Sequence, residues 1–169
     1  MRAQSIVAAV IAAGAALPAF ADPINLPARK PGEWKIEMVR NAKPAMTMQF
    51  CLDAAFDKAM MEGGLSLTGD TCSSVSTKQD GGTITIDAAC QFGPMATRSH
   101  TVMTGDFQSA YTVTTTSDNT GGGPLMPKHS EITQNVTWIG ACSGLKPGEM
   151  LMPNGMKIDA LHAMKPTGG

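Results

Sequence analysis

Short runs in which apolar and polar residues alternate are the feature that most constrains how this chain can fold. Trp34, Ile36 and Met38, for example, are separated by Lys35 and Glu37. This period of two places every second side chain on the same face, which is typical of a β-strand with one buried face.

Turn-forming residues separate six or seven such runs. The turns are Asn41–Pro44, Asp80-Gly81-Gly82, Gly93-Pro94, Gly105-Asp106 and the glycine- and proline-rich segment 118–128. Short connections favour pairing between strands that follow each other in sequence. We therefore predict a mainly β fold with a minor α component: a single twisted antiparallel meander of six or seven strands, either open or partly closed into a barrel, with one short helix.

The helix is predicted at about 53–62. Asp53 is a suitable N-cap, and Phe56 and Met60 have helical spacing. Gly63 follows and tolerates the positive φ with which helices commonly end.

Residues 1–21 have the pattern of a secretory signal peptide. Arg2 precedes an apolar stretch over 6–17, and Ala19-Phe20-Ala21 supplies the small-x-small cleavage pattern. We expect cleavage after Ala21 and a periplasmic location. Beyond this segment no run of 18 apolar residues occurs, so we expect no membrane span after cleavage.

The remaining chain is predicted to form one domain. An extended proline-rich arm (22–32) leads into a β domain (33–142), and a methionine-rich tail (143–169) follows, with a disordered end. The formal charge of -1 provides no basic footprint for nucleic acid, which we exclude as a partner.

All four cysteines lie after the signal, and in an oxidising compartment two disulfides are the default expectation. Four cysteines allow three pairings, and spacing alone does not choose among them. Cys90 and Cys142 each continue the alternation of an apolar strand face, which favours a Cys90–Cys142 bond across the core and leaves Cys51–Cys72 around the helix. Zinc binding is disfavoured, because the cysteines are separated by 20, 17 and 51 residues rather than grouped in close pairs.

Several short motifs, taken in order, resemble the DUF3617 family of exported proteobacterial proteins. They are the export signal, Lys30-Pro31-Gly32-Glu33-Trp34, Cys51-Leu52, Cys72 and Cys90 around a hairpin, Trp138-Ile139-Gly140-Ala141-Cys142, Lys146-Pro147-Gly148-Glu149-Met150 and Pro153-Asn154-Gly155. The resemblance implies a periplasmic, disulfide-bearing, mostly β domain. It implies no activity and no catalytic residues, since the family is named for its unknown function.

The leading functional hypothesis is a non-catalytic binding or interaction module that needs no cofactor. Its partner would be an envelope protein or a small apolar ligand. The strand face that carries Trp34, Ile36 and Met38 would line the binding space.

Methionine supports an alternative hypothesis, a periplasmic protein that handles Cu(I), because thioether sulfur is a soft ligand suited to that ion. The candidate ligands lie in the tail and are Met150, Met152, Met156, His162 and Met164. A third hypothesis is a hydrolase with a non-obvious site, although no G-x-S-x-G motif is present.

Overall fold

The computed structural model describes residues 26–60 and 71–160, and nine strands of these residues form one antiparallel sheet. The strands are β1 (Gly32–Arg40), β2 (Lys43–Leu52), β3 (Cys72–Asp80), β4 (Thr83–Phe92), β5 (Met95–Gly105), β6 (Ala110–Thr120), β7 (His129–Gly140), β8 (Glu149–Leu151) and β9 (Lys157–Asp159). The predicted mainly β, single antiparallel sheet is confirmed, and the sheet is open rather than closed into a barrel.

The strands follow the order β3-β4-β5-β6-β7-β1-β2-β8-β9 across the sheet. Strands β3 to β7 form the predicted meander. The β1–β2 hairpin then joins its far edge, because β1 pairs with β7 as well as with β2. Trp34 consequently lies between Trp138 on one side and Phe50 on the other.

The β1–β2 connection is a two-residue hairpin turn. Arg40 pairs with Lys43, and Asn41 and Ala42 both have positive φ, at 47° and 61°. Two left-handed residues match the right-handed twist of the flanking strands, which is why such turns favour asparagine or glycine. Ala42 is an unusual occupant of this conformation.

The predicted helix begins where expected. Helix α1 covers 54–60 in the described part of the chain. The Asp53 carboxylate accepts a hydrogen bond from the backbone N–H of Phe56 at 2.7 Å, so Asp53 is the N-cap. The predicted end near residue 62 lies outside the described residues. Within 26–60 and 71–160, no helix is long and apolar enough to cross a membrane.

The first part of the predicted tail extends the sheet beyond β2. Strand β8 pairs with β2 through Phe50 and Met150, and β9 pairs with β8. The Gly148 N–H donates to the Cys51 carbonyl at 3.0 Å, which fixes the start of this short hairpin. Its three-residue strands are too short to show a periodicity, so the sequence did not predict them. The predicted disordered end of the tail, Pro166-Thr167-Gly168-Gly169, and the signal, 1–21, lie outside the described residues.

The two predicted disulfides are present, but the predicted pairing was wrong. The bonds join Cys51 to Cys142 and Cys72 to Cys90. Cys142 lies beyond the end of β7, so the alternation of that strand does not extend to it. Glu33 of β1 pairs with Cys51 on one side and with Gly140 on the other, which brings Cys51 and Cys142 to the same end of β1.

The other bond follows from the β3–β4 hairpin. Cys72 and Cys90 are register partners at its open end, with Cα atoms 3.8 Å apart. The Gly81-Gly82 turn pairs Asp80 with Thr83, and a register shift between Cys72 and Ser74 then brings Cys72 opposite Cys90.

We predict that the two bonds stabilise the fold unequally. The Cys51–Cys142 bond spans 91 residues and the Cys72–Cys90 bond spans 18. In the chain-entropy description these separations correspond to about 4.5 and about 3 kcal/mol of stabilisation. Urea unfolding of the C51A/C142A and C72A/C90A double variants measures the two losses. A larger loss for C72A/C90A would contradict this assignment.

Candidate functional site

The two faces of the sheet differ sharply in chemistry. The apolar face carries the core, to which Trp34, Phe50, Ile84, Tyr111 and Val136 contribute. The opposite, polar face carries mainly threonine, serine and charged side chains, including Thr85, Asp87, Arg98, His100, Thr112, Thr114, Thr116, Asp118, Thr133 and Asn135. A ligand that prefers apolar surroundings therefore has one face on which to bind.

One end of the apolar face is closed by aromatic packing and by α1. Trp34 is fully buried and its ring centroid lies 5.7 Å from that of Tyr111. Phe107 stacks on Tyr111 at 4.9 Å, and Phe56 of α1 is buried in the same cluster. Phe107 holds a positive φ of 56°, a conformation that costs a non-glycine residue free energy and is offset here by burial of its ring.

Contacts of Arg29 with Asp57 and Tyr111, which we call the Arg29 strap, join the N-terminal arm to this closed end. Arg29 forms an ion pair with Asp57 of α1, with Nη2 and Oδ1 2.6 Å apart. The Arg29 backbone N–H donates to the second Asp57 oxygen at 3.0 Å, and Nη1 donates to the Tyr111 hydroxyl at 3.2 Å. Both members of the ion pair are largely buried. The strap thus holds α1 against the sheet.

Burial by itself would lower the pKa of Arg29, because desolvation disfavours the charged form. Tyr111 and Asp57 together outweigh this effect, and the pKa of the guanidinium is raised above its ordinary value. Arg29 therefore carries its positive charge at neutral pH.

A second buried carboxylate anchors the segment after β7. Glu33 accepts a hydrogen bond from the backbone N–H of Ser143 at 2.9 Å. This contact fixes the chain next to Cys142 and reinforces the Cys51–Cys142 link.

The apolar face is open beyond the closed end. One row of register partners crosses six strands and consists of Ile84, Met103, Val113, Gln134, Met38 and Met46. Ile84 is 2% exposed, the middle of the row is half-buried, and Met46 is 39% exposed. The accessible part of the apolar face thus lies at the β1–β2 side.

A hollow of about 380 Å³ lies beside Met38 and Met46, but most of its lining belongs to the polar face, on which Glu37 is the register partner of Thr47 and Asn135. A register shift between Met38 and Val39 interrupts the β1–β2 ladder beside it. The residues that line it are Glu37, Met38, Val39, Pro44, Ala45, Met46, Thr47 and Asn135. Its volume is within the range of sites for small ligands.

The predicted lining residues occupy different environments. Trp34 lies in the filled core, where its indole N–H donates to the Lys30 carbonyl at 2.8 Å. Ile36 and Met38 are half-buried, and of the three Met38 lies beside the hollow.

The predicted copper ligands are only partly described. Met150 packs against the core cluster, and Met156 is exposed. The backbone N–H of Met152 donates to the Met156 carbonyl at 2.8 Å, so these two residues flank one turn. His162 and Met164 lie outside the described residues. Within the described part of the chain, no three His, Cys, Asp or Glu side chains form a group that could hold a metal ion.

Two cross-strand His–Asp pairs lie on the polar face. His100 Nδ1 is 2.7 Å from Asp87, and His129 Nδ1 is 2.8 Å from Asp118. Both pairs are exposed, so each contributes little to stability. Sequence reasoning missed them, although Gly93-Pro94 is the midpoint between Asp87 and His100 and hairpin symmetry around it pairs these two residues.

The Arg29 strap was also missed, because nothing in local sequence links Arg29 to Asp57, which is 28 residues away.

Arg29 is also the first residue of the segment that matches a known family. Residues 29–142, from the strap arginine to the last cysteine, match the family described as "Protein of unknown function (DUF3617)".

The chain belongs to the DUF3617 family. The suggested resemblance is thereby confirmed, and the match spans β1 to β7 with all four cysteines. Strands β8 and β9 lie outside the matched range of DUF3617. No curated protein and no solved structure shows significant similarity to the chain.

We predict that the Asp57→Asn substitution lowers the free energy of unfolding by about 3–5 kcal/mol, because it leaves Arg29 buried without a counter-charge. Urea unfolding measures this loss.

The matched control is Glu37→Gln, which breaks the more exposed Lys35–Glu37 pair, 3.2 Å apart. We expect a loss below about 1 kcal/mol for this variant. Equal losses in the two variants would show that the Arg29 strap does not stabilise the closed end.

Proposed function

We propose that the protein is an exported, non-catalytic binding module of the cell envelope that takes up a small apolar ligand on the open part of its apolar face. The observation that carries this proposal is the row from Ile84 to Met46, whose exposure rises across the sheet towards β2.

The apolar row is only partly covered by the rest of the protein. Each side chain of the row that remains in water keeps an unfavourable contact of about 25 cal/mol per Å² of apolar area. A ligand that covers Met38, Met46 and Met103 removes this contact. Methionine side chains are flexible and polarisable, so they adapt to apolar molecules of different shape.

Export is supported by two independent features. The N-terminal pattern of Arg2, the apolar stretch 6–17 and Ala21 is typical of a cleaved signal. The Cys51–Cys142 and Cys72–Cys90 bonds are of a kind that persists in oxidising compartments and is rare in the cytosol.

Native mass spectrometry of the protein purified from the periplasm without reductant tests the proposal. We expect a chain that begins at Asp22, a mass lower by four hydrogens for two disulfides, and an adduct that organic solvent removes. A copper adduct would instead support the Cu(I) hypothesis. A chain without any adduct that also fails to bind 1-anilinonaphthalene-8-sulfonate would contradict the proposal.

We further predict that Met103→Gln weakens binding of this dye at least several-fold, because it places an amide in the middle of the apolar row. The matched control is Val102→Gln. Val102 precedes Met103 in β5, is also half-buried and lies on the polar face. Fluorescence titration of both variants measures the difference, and equal weakening would exclude the apolar row as the binding surface.

A further inference from the structure

Three connections lie at the same end of the sheet: the β1–β2 turn (40–43), the β4–β5 turn (92–95) and the β6–β7 loop (121–128). We call this the three-turn end. In the strand order these connections are two strands apart, which corresponds to spacings of roughly 10 Å.

Direct contacts join neighbouring turns. The Asn41 N–H donates to the Glu131 carbonyl at 2.9 Å, which fixes the β1–β2 turn against the start of β7. Gly121 has a φ of 81°, and a Cβ placed on it would clash with the Pro94 carbonyl oxygen. The β6–β7 loop therefore touches the β4–β5 turn.

This end exposes large apolar side chains. Leu125 is 96% exposed, Phe92 is 48% exposed and Met126 is 43% exposed. A Cβ placed on Gly122 would lie 2.9 Å from Met126 and 3.3 Å from the sulfur of Met95, so the two methionines flank this glycine. Phe92 is the register partner of Met95, which makes the apolar surface continuous between the two connections.

The loop that carries Leu125 is held by hydrogen bonds. The Asn119 N–H donates to the Lys128 carbonyl at 2.8 Å, and the Asn119 side chain donates to the Pro127 carbonyl at 3.1 Å. Inside the loop, the Met126 N–H donates to the Gly123 carbonyl at 3.3 Å. These bonds satisfy backbone groups internally, which reduces the cost of moving the loop into an apolar medium.

Positive charge predominates in the connections at this end. Arg40 and Lys43 flank the β1–β2 turn and Lys128 ends the β6–β7 loop, whereas no Asp or Glu occurs in 40–43, 88–97 or 119–128. The whole chain has a formal charge of -1, so these cations are a local concentration rather than an average property. The nearest acids in sequence are Glu37, Asp87, Asp118 and Glu131, all of them in strands, as Arg40 and Lys43 also are. Glu37 is paired with Lys35, Asp87 with His100 and Asp118 with His129.

The cations are set back from the apolar tip. Arg40 is the register partner of Ile132, three residues into β7, whereas the loop with Leu125 projects beyond the start of that strand. A lipid surface has the same order of layers, with anionic phosphates outside and acyl chains beneath. A projecting tip suits such a surface better than it suits a protein partner, which would need a matching groove.

We propose that the three-turn end docks on anionic lipid bilayers, with Leu125, Phe92 and Met126 entering the boundary between headgroups and acyl chains and Arg40, Lys43 and Lys128 facing the phosphates. The ligand site on the apolar face is not required for this docking.

Vesicle co-sedimentation tests the proposal. The probe is extruded vesicles of phosphatidylethanolamine and phosphatidylglycerol (3:1), compared with pure phosphatidylcholine. The protein is purified from the periplasm and shown by mass spectrometry to lack residues 6–17, because that apolar stretch would itself bind lipid. We expect binding to the anionic vesicles that weakens at high salt.

The apolar variant is L125S/F92S/M126S, for which we expect at least a tenfold loss of partitioning. Its control is Ile139→Ser, since Ile139 is similarly exposed but lies at the other end of β7. The charge variant is R40Q/K43Q/K128Q, for which we expect a loss of about fivefold per charge on anionic vesicles. Circular dichroism and thermal unfolding confirm that every variant is folded.

Three outcomes would overturn the proposal. They are no binding of the unmodified protein to anionic vesicles, equal binding by L125S/F92S/M126S, and an equal loss in Ile139→Ser. A dimer that the triple variant abolishes, without vesicle binding, would assign the tip to self-association instead. Met103→Gln should bind vesicles normally, so failure of the apolar-ligand proposal and failure of lipid docking are distinguishable.

Discussion

The pairing of β1 with both β2 and β7 is the constraint on which the rest of the structure depends. It joins the first strand of the chain to the last strand of the meander, and it buries Trp34 completely between Trp138 and Phe50. The Cys51–Cys142 bond and the Glu33 contact to Ser143 both lie at this junction. Without it, the β1–β2 hairpin and the meander would be two separate sheets, neither with a covered face.

The apolar face has a closed part and an open part because helix α1, which covers it, is short. The seven described residues of α1 span about 10 Å. Six strands of the sheet span about 25 Å. One short helix therefore closes only the end that it contacts, and the Arg29 strap extends the closure by tying down the arm. The open row that ends at Met46 is a geometric consequence, and it gives the protein an apolar surface without loss of a stable core.

Local patterns were enough to predict most of the fold. Alternation located the strands, glycine, proline, asparagine and aspartate located the turns, and Asp53 located the helix start, because each of these features depends on neighbours in sequence. Features that depend on distant segments could not be predicted in this way. The contact of Arg29 with Asp57, the Cys51–Cys142 bond and the pairing of β8 with β2 each join segments that are far apart in the sequence. The candidate site was predicted in part: Met38 belongs to the open apolar row, whereas Trp34, on the same strand face, lies in the core because α1 covers that end.

The arrangement of the disulfides affects how the chain matures. The Cys72–Cys90 bond is nested inside the Cys51–Cys142 bond. A chain that emerges N terminus first offers Cys72 to Cys51 long before Cys142 arrives, so oxidation in order of appearance produces the non-native Cys51–Cys72 bond. Escape from that bond occurs by thiol–disulfide exchange, in which the Cys90 thiolate attacks the sulfur of Cys72, forms the Cys72–Cys90 bond and releases the Cys51 thiolate. Correct maturation therefore depends on an environment that both oxidises and reshuffles thiols, or on β3 and β4 closing their hairpin before Cys51 reacts.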